Sequence, residues 1–331
     1  MMRPSFVLLA TLMLGLTSCG PSVPASHSAP FKASVSAASL GLDVRMTRRW
    51  SDFYGTTPMT VTERVVEAAN GSWSVDLLTL NGKDAASLTD PVLQSEFKRL
   101  DRLLDLGRGR YTVRGRDFAI RNWDLFVANY EWSLISSDTS VAGRPVYVAD
   151  VWAKQAGRPR YTVWVDQETM QTMKCLEFLP SGELAAEMEV LTIEWDPDLT
   201  NVDLLPGQVL KANVDPSSFP SLVSFQTFHL AYVPAGFAPI SAQLSVLAGK
   251  QVLQQTYSDG VQDLSFWQAA EIDPTPLPAE IAAGAPVSVR VTTEGAQTQA
   301  TFVLLGTQLY VHSKLTTDES MNVVESVTPN P

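Results

Sequence analysis

"RPVYVADVWAKQAGRPRYTVWVDQETMQTMKCLEFLPSGELAAEMEVLTIEW", residues 144–195, is the stretch that decides the fold. Short runs rich in valine, tyrosine, tryptophan and threonine alternate here with turn signals, among them Ala156-Gly157 and Ser181-Gly182. Runs of this composition between such signals are typical of β-strands joined by tight turns. The stretch therefore predicts an antiparallel meander.

Hairpins are predicted on both sides of this meander. In "MTVTERVVEAANGSWSVDLLTL", residues 59–80, Asn70-Gly71 separates two alternating segments, and this dipeptide readily adopts the positive φ angles of a tight turn. In "APVSVRVTTEGAQTQATFVLLG", residues 285–306, we expect a second hairpin with its turn near Glu294-Gly295.

Two helices are expected among these strands. "TDPVLQSEFKRLDRLLDLG", residues 89–107, predicts the first, because Asp90 can cap it, Pro91 can begin it and Gly107 can end it. Its apolar side chains fall at helical spacing: Leu93, Phe97, Leu100 and Leu104. "TTDESMNVVESV" predicts the second, near the end of the chain. A helix packed against a curved sheet fits the first region best.

The amino terminus predicts export and a lipid anchor. A lone Arg3 precedes an apolar run that is too short to span a bilayer, so residues 1–18 are predicted to be a signal peptide. Leu16-Thr17-Ser18-Cys19 resembles the bacterial lipobox, which implies that Cys19 is acylated and attaches the protein to the membrane. The alternative is a chance cysteine near the end of an ordinary signal. Residues 19–35, rich in proline, serine and alanine, are expected to be a flexible tether.

Length and charge divide the rest of the chain. The charge is uneven: residues 98–121 carry eight basic and three acidic side chains, whereas residues 199–331 carry four basic and eleven acidic ones. A mature chain of this length is expected to form about two domains. We predict domains at 36–198 and 222–325, a proline-rich linker at 199–221 and a short tail at 326–331.

Composition limits the function. The net charge is −11, and removal of the signal peptide with Arg3 makes it −12, so the chain is a poor candidate for binding nucleic acid. Acylation of Cys19 would leave Cys175 as the only thiol, which excludes an intramolecular disulfide. Cys175 is more typical of a buried apolar residue than of a reactive group.

Catalytic and metal sites are not predicted. Ser258 lacks the strand, elbow and helix context of a nucleophile, so it is expected to be part of a structural turn. The histidines His27, His229 and His312 show no spacing that would make a metal site. We therefore expect a protein that is not an enzyme, with no cofactor and no metal.

A resemblance to a known family runs through the first region. The segment "NYEWSLISSDTSVAGRPVYVADVWAKQAGRPRYTVWVDQETMQTMKCLEFLPSGELAAEMEVL", residues 129–191, resembles the amino-terminal domain of the MucB/RseB regulators of the sigma-E envelope stress response. The positions that match its motifs are Val141-Ala142-Gly143-Arg144, Arg160-Tyr161, Trp164, Asp166, Thr169 and Gly182. The departure is Met170, where many relatives have glycine, so the turn after Thr169 is expected to differ.

The second region is similar to the same family at two motifs. "LAYVPAGFAPIS" resembles the family's strand and turn around Pro234, Gly236 and Phe237. "LQQTYSDGVQDLSFW" resembles its hairpin at Tyr257-Ser258-Asp259-Gly260. The resemblance covers most of residues 59–325.

The resemblance implies a fold. The family's amino-terminal domain is similar to the lipoprotein carrier LolA, so we expect an α+β protein. Its first domain would be an antiparallel half-barrel of LolA-like type with covering helices, followed by a smaller α+β antiparallel-sheet domain. The groove of such a half-barrel could hold an acyl chain. Alternating apolar residues give its candidate lining: Trp73, Val75, Leu77, Tyr147, Val151, Tyr161, Val163 and Val165. The same residues could equally fill a closed core.

Two functions follow from the resemblance. The first is an envelope regulator that binds the periplasmic segment of a membrane anti-sigma factor and responds to a lipid-like ligand. The second is a LolA/LolB-like carrier or receptor for lipids or lipoproteins. The second-region motifs favour the regulator, whereas the lipobox differs from the soluble periplasmic regulators. Either protein would be lipid-anchored through Cys19 and face the periplasm, and the choice between inner and outer membrane stays open.

Overall fold

The computed structural model describes residues 42–53, 58–70, 72–84, 87, 118–204, 212–247, 250–270, 289–294 and 297–331. The predicted signal peptide, Cys19, the tether and the predicted helix at 90–107 lie outside these residues. In the part of the chain that is described, no helix is both long and apolar enough to cross a membrane.

The first region forms one open antiparallel sheet in the order β4-β3-β2-β1-β9-β8-β7-β6-β5. Its nine strands are β1 (Val44–Asp52), β2 (Met59–Glu67), β3 (Trp73–Leu80), β4 (Lys83–Asp84), β5 (Tyr130–Val141), β6 (Arg144–Ala153), β7 (Arg160–Asp166), β8 (Thr172–Phe178) and β9 (Leu184–Trp195). The predicted meander is confirmed as β6 to β9. The hairpin around Asn70 is also confirmed, because Glu67 in β2 pairs with Trp73 in β3.

The second region forms another open antiparallel sheet, in the order β10-β12-β13-β14-β17-β16-β15. Its strands are β10 (Ala212–Asn213), β12 (Ala238–Leu247), β13 (Lys250–Ser258), β14 (Asp263–Ala270), β15 (Arg290–Glu294), β16 (Gln297–Leu304) and β17 (Thr307–Ser313). The short strands β11 (Phe228–Leu230) and β18 (Val327–Pro329) pair with each other. The predicted second hairpin is confirmed, because Glu294 in β15 pairs with Gln297 in β16.

Few helices accompany the two sheets in the described residues. They are α1 (Trp123–Asn129), a 3-10 turn (Pro216–Ser218), α2 (Phe219–Leu222) and α3 (Thr317–Glu325). The closing helix is confirmed as α3, which Thr316 caps by accepting a bond from the Glu319 amide. The predicted linker contains the 3-10 turn and most of α2, and separate folding of the two regions stays a prediction.

Alternation along the strands places the core of the first region. In β7, Tyr161, Val163 and Val165 are buried, whereas Thr162 and Trp164 between them are only half-buried. Val163 pairs with Ala149 in β6 and with Cys175 in β8, and both are buried. One face of the meander therefore forms a continuous apolar surface, since side chains two apart on a strand point the same way.

A buried ion pair lies on β1 and β2. Arg48 Nε donates to Glu63 Oε1 at 2.6 Å, and the two side chains are 2% and 0% exposed. The strand register places them opposite each other. Burying both charges is costly unless they pair closely, so this contact fixes the register of β1 against β2.

Candidate functional site at the junction of the two sheets

On the side of the first region, helix α1 positions the residues of the site. The Asn122 side chain accepts a bond from the Leu125 amide at 3.0 Å, which satisfies one unpaired backbone donor at the helix start. The helix ends where Tyr130 adopts an extended conformation and begins β5. This break places Asn129 and Tyr130 side by side, both buried, at the edge of the first sheet.

The second region contributes the turn between β13 and β14, residues 258–262, which we call the docking turn. Asp259 Oδ1 accepts bonds from the amides of Val261 and Gln262 at 3.0 and 2.8 Å. Ser258 Oγ donates to the Gln262 carbonyl and accepts from the Gly260 amide. The turn is thus held by its own side chains, and the Ser258 hydroxyl both donates and accepts within it.

Polar contacts fasten the docking turn to the start of β5. Tyr130 Oη donates to Asp259 Oδ2 at 2.7 Å. Asn129 Nδ2 donates to the Asp259 carbonyl at 3.0 Å and to the Gly236 carbonyl at 2.8 Å. The Arg121 amide donates to the Gly260 carbonyl at 2.8 Å. These bonds connect residues more than 100 positions apart, so they join the two regions directly.

The apolar part of the junction is shared as well. Val261 of the docking turn is 4% exposed and belongs to one cluster with first-region side chains. We call this cluster the inner cluster; its buried members are Phe118, Ile120, Phe126, Tyr130, Ala149, Val151, Tyr161, Val163, Val165, Cys175 and Val261. A side chain of the second region therefore completes the core of the first.

Besides the pair of Arg121 Nε with Asp263 Oδ2, at 2.8 Å, two further ion pairs flank the docking turn. Arg158 forms a two-pronged pair with Glu319 at the start of α3, and its guanidinium lies 5.4 Å from the Phe237 ring centroid. Lys314 Nζ donates to Glu177 Oε2 at 2.5 Å. Both pairs join the first region to the second, and the Arg158 side chain is only 4% exposed. Charged contacts with this little exposure are screened weakly by salt.

Burial governs the electrostatics of the junction. It raises the pKa of Asp259, although the bonds from Val261, Tyr130 and Gln262 act in the opposite direction. Burial also raises the pKa of the Tyr130 hydroxyl, and the neighbouring Asp259 adds to this. The hydroxyl therefore stays protonated and can donate to the carboxylate at neutral pH.

The structure places the predicted groove residues in two groups. Val151, Tyr161, Val163 and Val165 are at most 3% exposed and come together in the inner cluster. Tyr147, Val75 and Leu77 are half-buried, and the last two pack against other clusters. The side chain of Trp73 lies outside the described part of the chain. The first group is covered by α1 and by Val261.

The family-motif positions fall into two places. Arg144 forms a two-pronged pair with the buried Asp166 at 2.7 and 3.0 Å, at the end of the first sheet away from the junction. The Trp164 ring lies 5.5 Å from Lys174 Nζ on the opposite face from the inner cluster. Four of the second-region positions contact the first region at the junction: Gly236, Phe237, Asp259 and Gly260. Tyr257 packs in the core of the second region, the Pro234 carbonyl accepts from the Phe237 amide, and Ser258 bonds within the docking turn.

Met170 shows how the first motif departs from its relatives. Its φ is 60°, so a methionine adopts the left-handed conformation that glycine tolerates best. Its amide donates to the Asp166 carbonyl at 3.0 Å, which closes the turn. The turn therefore keeps a glycine-like backbone without glycine.

Sequence reasoning missed several junction residues. Neither Asn129, Arg158 nor Glu319 was singled out, because a single polar residue carries no pattern of its own. The one available signal was that the family-like segment opens with Asn129-Tyr130. Among the described residues, no group of three or more histidine, cysteine, aspartate or glutamate side chains could hold a metal ion.

The fold and the junction define a class of protein. It has two antiparallel sheets, and a side chain from the second region completes the apolar core of the first. No protein-family model and no curated protein matches the sequence. The crystal structure of MucB, however, aligns with 93% of this chain and 99% of its own at 16% identity, with a TM-score of 0.53.

Further solved structures align with the chain. The complex of MucA and MucB from Pseudomonas aeruginosa covers 93% of this chain and 100% of its own at 16% identity, with a TM-score of 0.52. A LolA superfamily protein from Nitrosomonas europaea covers 53% of this chain and 94% of its own at 11% identity, but its TM-score of 0.20 is too low to add to this. The predicted likeness to MucB is therefore confirmed at the level of the fold, along nearly the whole chain.

Proposed function

We propose that this protein is a non-enzymatic envelope lipoprotein that regulates a stress response. It would bind the periplasmic segment of a membrane anti-sigma factor and change its affinity when a lipid-like ligand occupies the first region. The observation that carries the proposal is the match to MucB over both regions, because MucB has been solved in complex with MucA and with MucA(peri).

The junction supports a regulator. A protein that senses a ligand in one region and holds a partner with both must couple the two regions mechanically. Here the coupling would run through the bonds of Asn129 and Tyr130 to Asp259, and through the Arg158 to Glu319 pair. A simple carrier has no use for such a connection.

The inner cluster also favours the regulator over the carrier. A carrier needs an open apolar cavity that is ready to receive an acyl chain. In the described residues, the strand face that would form this cavity packs in one buried cluster with Phe126 and Val261. A ligand would have to displace protein side chains, which is typical of a switch between two states.

Capture of the natural partner tests the proposal. We would crosslink the lipidated full chain in its native cells, purify it and identify the attached proteins by mass spectrometry. We expect a one-span membrane protein with a cytoplasmic sigma-binding domain. Its purified periplasmic segment should then bind the chain in calorimetry, and Arg158→Ala should weaken this binding. Capture of lipoprotein export proteins alone would instead support the carrier.

The membrane anchor is tested by mass. We expect the mature protein to begin at an acylated Cys19 and to sediment with membranes, because acyl chains bury many CH2 groups in the bilayer. Cys19→Ala should lose the added mass and leave the membrane fraction. If the wild type lacks the mass of acyl chains and divides between the membrane and soluble fractions as Cys19→Ala does, the protein is not lipidated.

A further inference from the structure

The docking turn lies where a ligand of the first region would have to bind. Val261 belongs to the same buried cluster as Tyr161, Val163 and their neighbours, whose strand face is predicted to line a groove. Val261 comes from the second sheet, whereas the other members of the inner cluster precede residue 176. The apolar surface of the first region is thus completed by a residue that is remote in sequence.

The fit leaves no space between the docking turn and α1. Gly260 has a φ of +106°, and a Cβ added there would lie 2.4 Å from the Phe126 amide nitrogen and 2.7 Å from its Cα. Both distances are shorter than real Cβ contacts, and the neighbours are backbone atoms that cannot rotate away. Only glycine therefore lets the turn approach α1 this closely.

The docking turn combines an apolar tip with surrounding polar groups, as many bound ligands do. Its tip is apolar at Val261, and around the tip lies a collar of polar contacts made by Asn129, Tyr130 and Gln262. Gln262 Nε2 donates to Tyr161 Oη at 3.2 Å, at the edge of the apolar face. Ligands commonly bind apolar surfaces that carry a few placed polar groups, and the docking turn meets the first region through the same combination.

We propose that the docking turn is a built-in occupant of the first-region cavity, and that an acyl chain binds by displacing it. This inference rests on the function proposed above and adds its regulation. Val261 and an acyl chain cannot contact the same strand face together. Displacement would break the bonds of Asn129 and Tyr130 to Asp259, so ligand entry would loosen the second region from the first.

Cys175 reports the state of the docking turn without any ligand. Its sulfur is not in a disulfide, and the residue is 4% exposed and lies in the same cluster as Val261. In the full mature chain with Cys19→Ser it is the only thiol, since the sequence has two cysteines. Departure of the turn should expose it, and a maleimide would then react with it faster.

The test compares two glycine substitutions in this chain. Gly260→Ala prevents the close approach to α1. Gly182→Ala is the matched control, because Gly182 also has a positive φ of +89° but no atom within 4 Å of an added Cβ. We expect Gly260→Ala to raise the Cys175 reaction rate about tenfold and to bind dansyl-undecanoic acid about tenfold more tightly, since less of the cavity is self-occupied. Gly182→Ala should match the wild type in both.

Thermal unfolding shows whether Gly260→Ala folds. If it does not, Tyr130→Phe provides a second test of the same proposal. It removes only the 2.7 Å bond to Asp259 and should change both readouts in the same direction by a smaller factor. Equal binding of the fatty acid by the wild type and both junction variants would overturn the competition and leave lipid binding intact. Faster labelling of Cys175 without binding by any variant would overturn the lipid part of the proposed function, and the competition with it.

Discussion

The turn after Asp166 in the first region and the docking turn in the second are built in the same way. Asp166 Oδ1 accepts bonds from the amides of Glu168 and Thr169 at 3.0 and 2.8 Å. Asp259 Oδ1 accepts bonds from the amides two and three positions later at 3.0 and 2.8 Å. Each aspartate therefore holds its own turn, as short polar side chains commonly do.

The surroundings of the two aspartates are opposite. Burial raises the pKa of Asp166, but the two-pronged pair with Arg144 and the bonds from Thr169 outweigh burial, so its pKa is lowered. Asp259 receives Tyr130 in place of an arginine, and burial raises its pKa. The carboxylate charge of Asp166 stabilises the first turn through Arg144, whereas the carboxylate charge of Asp259 is buried with the docking turn at a cost. A charge retained at such a cost is typical of a functional site.

Removing the Asp259 side chain should have the largest effect. Asp259→Ala leaves the amides of Val261 and Gln262 and the Tyr130 hydroxyl without their acceptor in a buried site. We expect the free energy of unfolding to fall by about 3 kcal/mol, since each such group costs about 1–3 kcal/mol. Urea unfolding measures this. Asp215→Ala is the control, because Asp215 makes a similar bond to Ser217 at the surface and should matter much less. Equal losses would mean that burial of the docking turn adds nothing.

Replacing each carboxylate by an amide should separate the two turns. Asp166→Asn loses the charge that Arg144 contacts, and we expect a loss of about 2 kcal/mol, in the range of hydrogen bonds to charged groups. Asp259→Asn keeps an acceptor for the turn amides and removes a buried charge, so stability should be unchanged or higher. The comparison is made by urea unfolding at pH 7. A similar loss in both variants would contradict the difference in their surroundings.

The pH dependence should show the same contrast with opposite signs. Because the folded pKa of Asp166 is lowered, its contribution is present above the ordinary value of 3.8 and is lost as the pH falls through the lowered pKa. Because the folded pKa of Asp259 is raised, its contribution is present below 3.8 and is lost as the pH rises through the raised pKa.

Melting temperatures across the acid range measure this contrast. The difference between the wild type and Asp166→Asn should shrink as the pH falls, with the wild type more stable at pH 7. Between the wild type and Asp259→Asn it should grow in favour of the variant as the pH rises above 3.8. Parallel curves for both pairs would show that the two aspartates titrate alike.

The smallest effect concerns the backbone of Met170. Its left-handed conformation strains any residue with a Cβ, so Met170→Gly should be more stable than Met170→Ala by about 1 kcal/mol. Comparing the two variants removes the contribution of the methionine side chain, which both lack. Equal stabilities in urea would show that the turn after Asp166 relaxes, unlike the docking turn, where Phe126 leaves no space.

Local features of this fold were predictable because they depend on a few neighbouring residues. Alternation gave the meander of β6 to β9, and turn signals such as Ser181-Gly182 gave its connections. Thr316 is a favourable cap for the predicted α3. The division into two regions followed from charge and proline content, but the contacts between them did not, since no pattern joins Asn129 to Asp259.

The candidate site was predicted only in part. Tyr161, Val163 and Val165 were named as one face, but alternation cannot distinguish a groove from a closed core, because both need an apolar strand face. Val261 was not named, since one valine after a turn is unremarkable in sequence. The pair of Arg48 and Glu63 was missed for a different reason, because its two members belong to different strands.

The sequence by itself determined the strands, the turns and the residues that hold each turn, because these depend on φ preferences and on hydrogen bonds within a few positions. Asp166 and Asp259 accept nearly the same hydrogen bonds within their own turns. Only the tertiary structure decided that one turn pairs with Arg144 at the end of a sheet while the other is buried against α1. Arg144 is 22 positions from Asp166, whereas the burial of Asp259 depends on atoms more than 100 positions away in the chain, so the role of each turn follows from its surroundings.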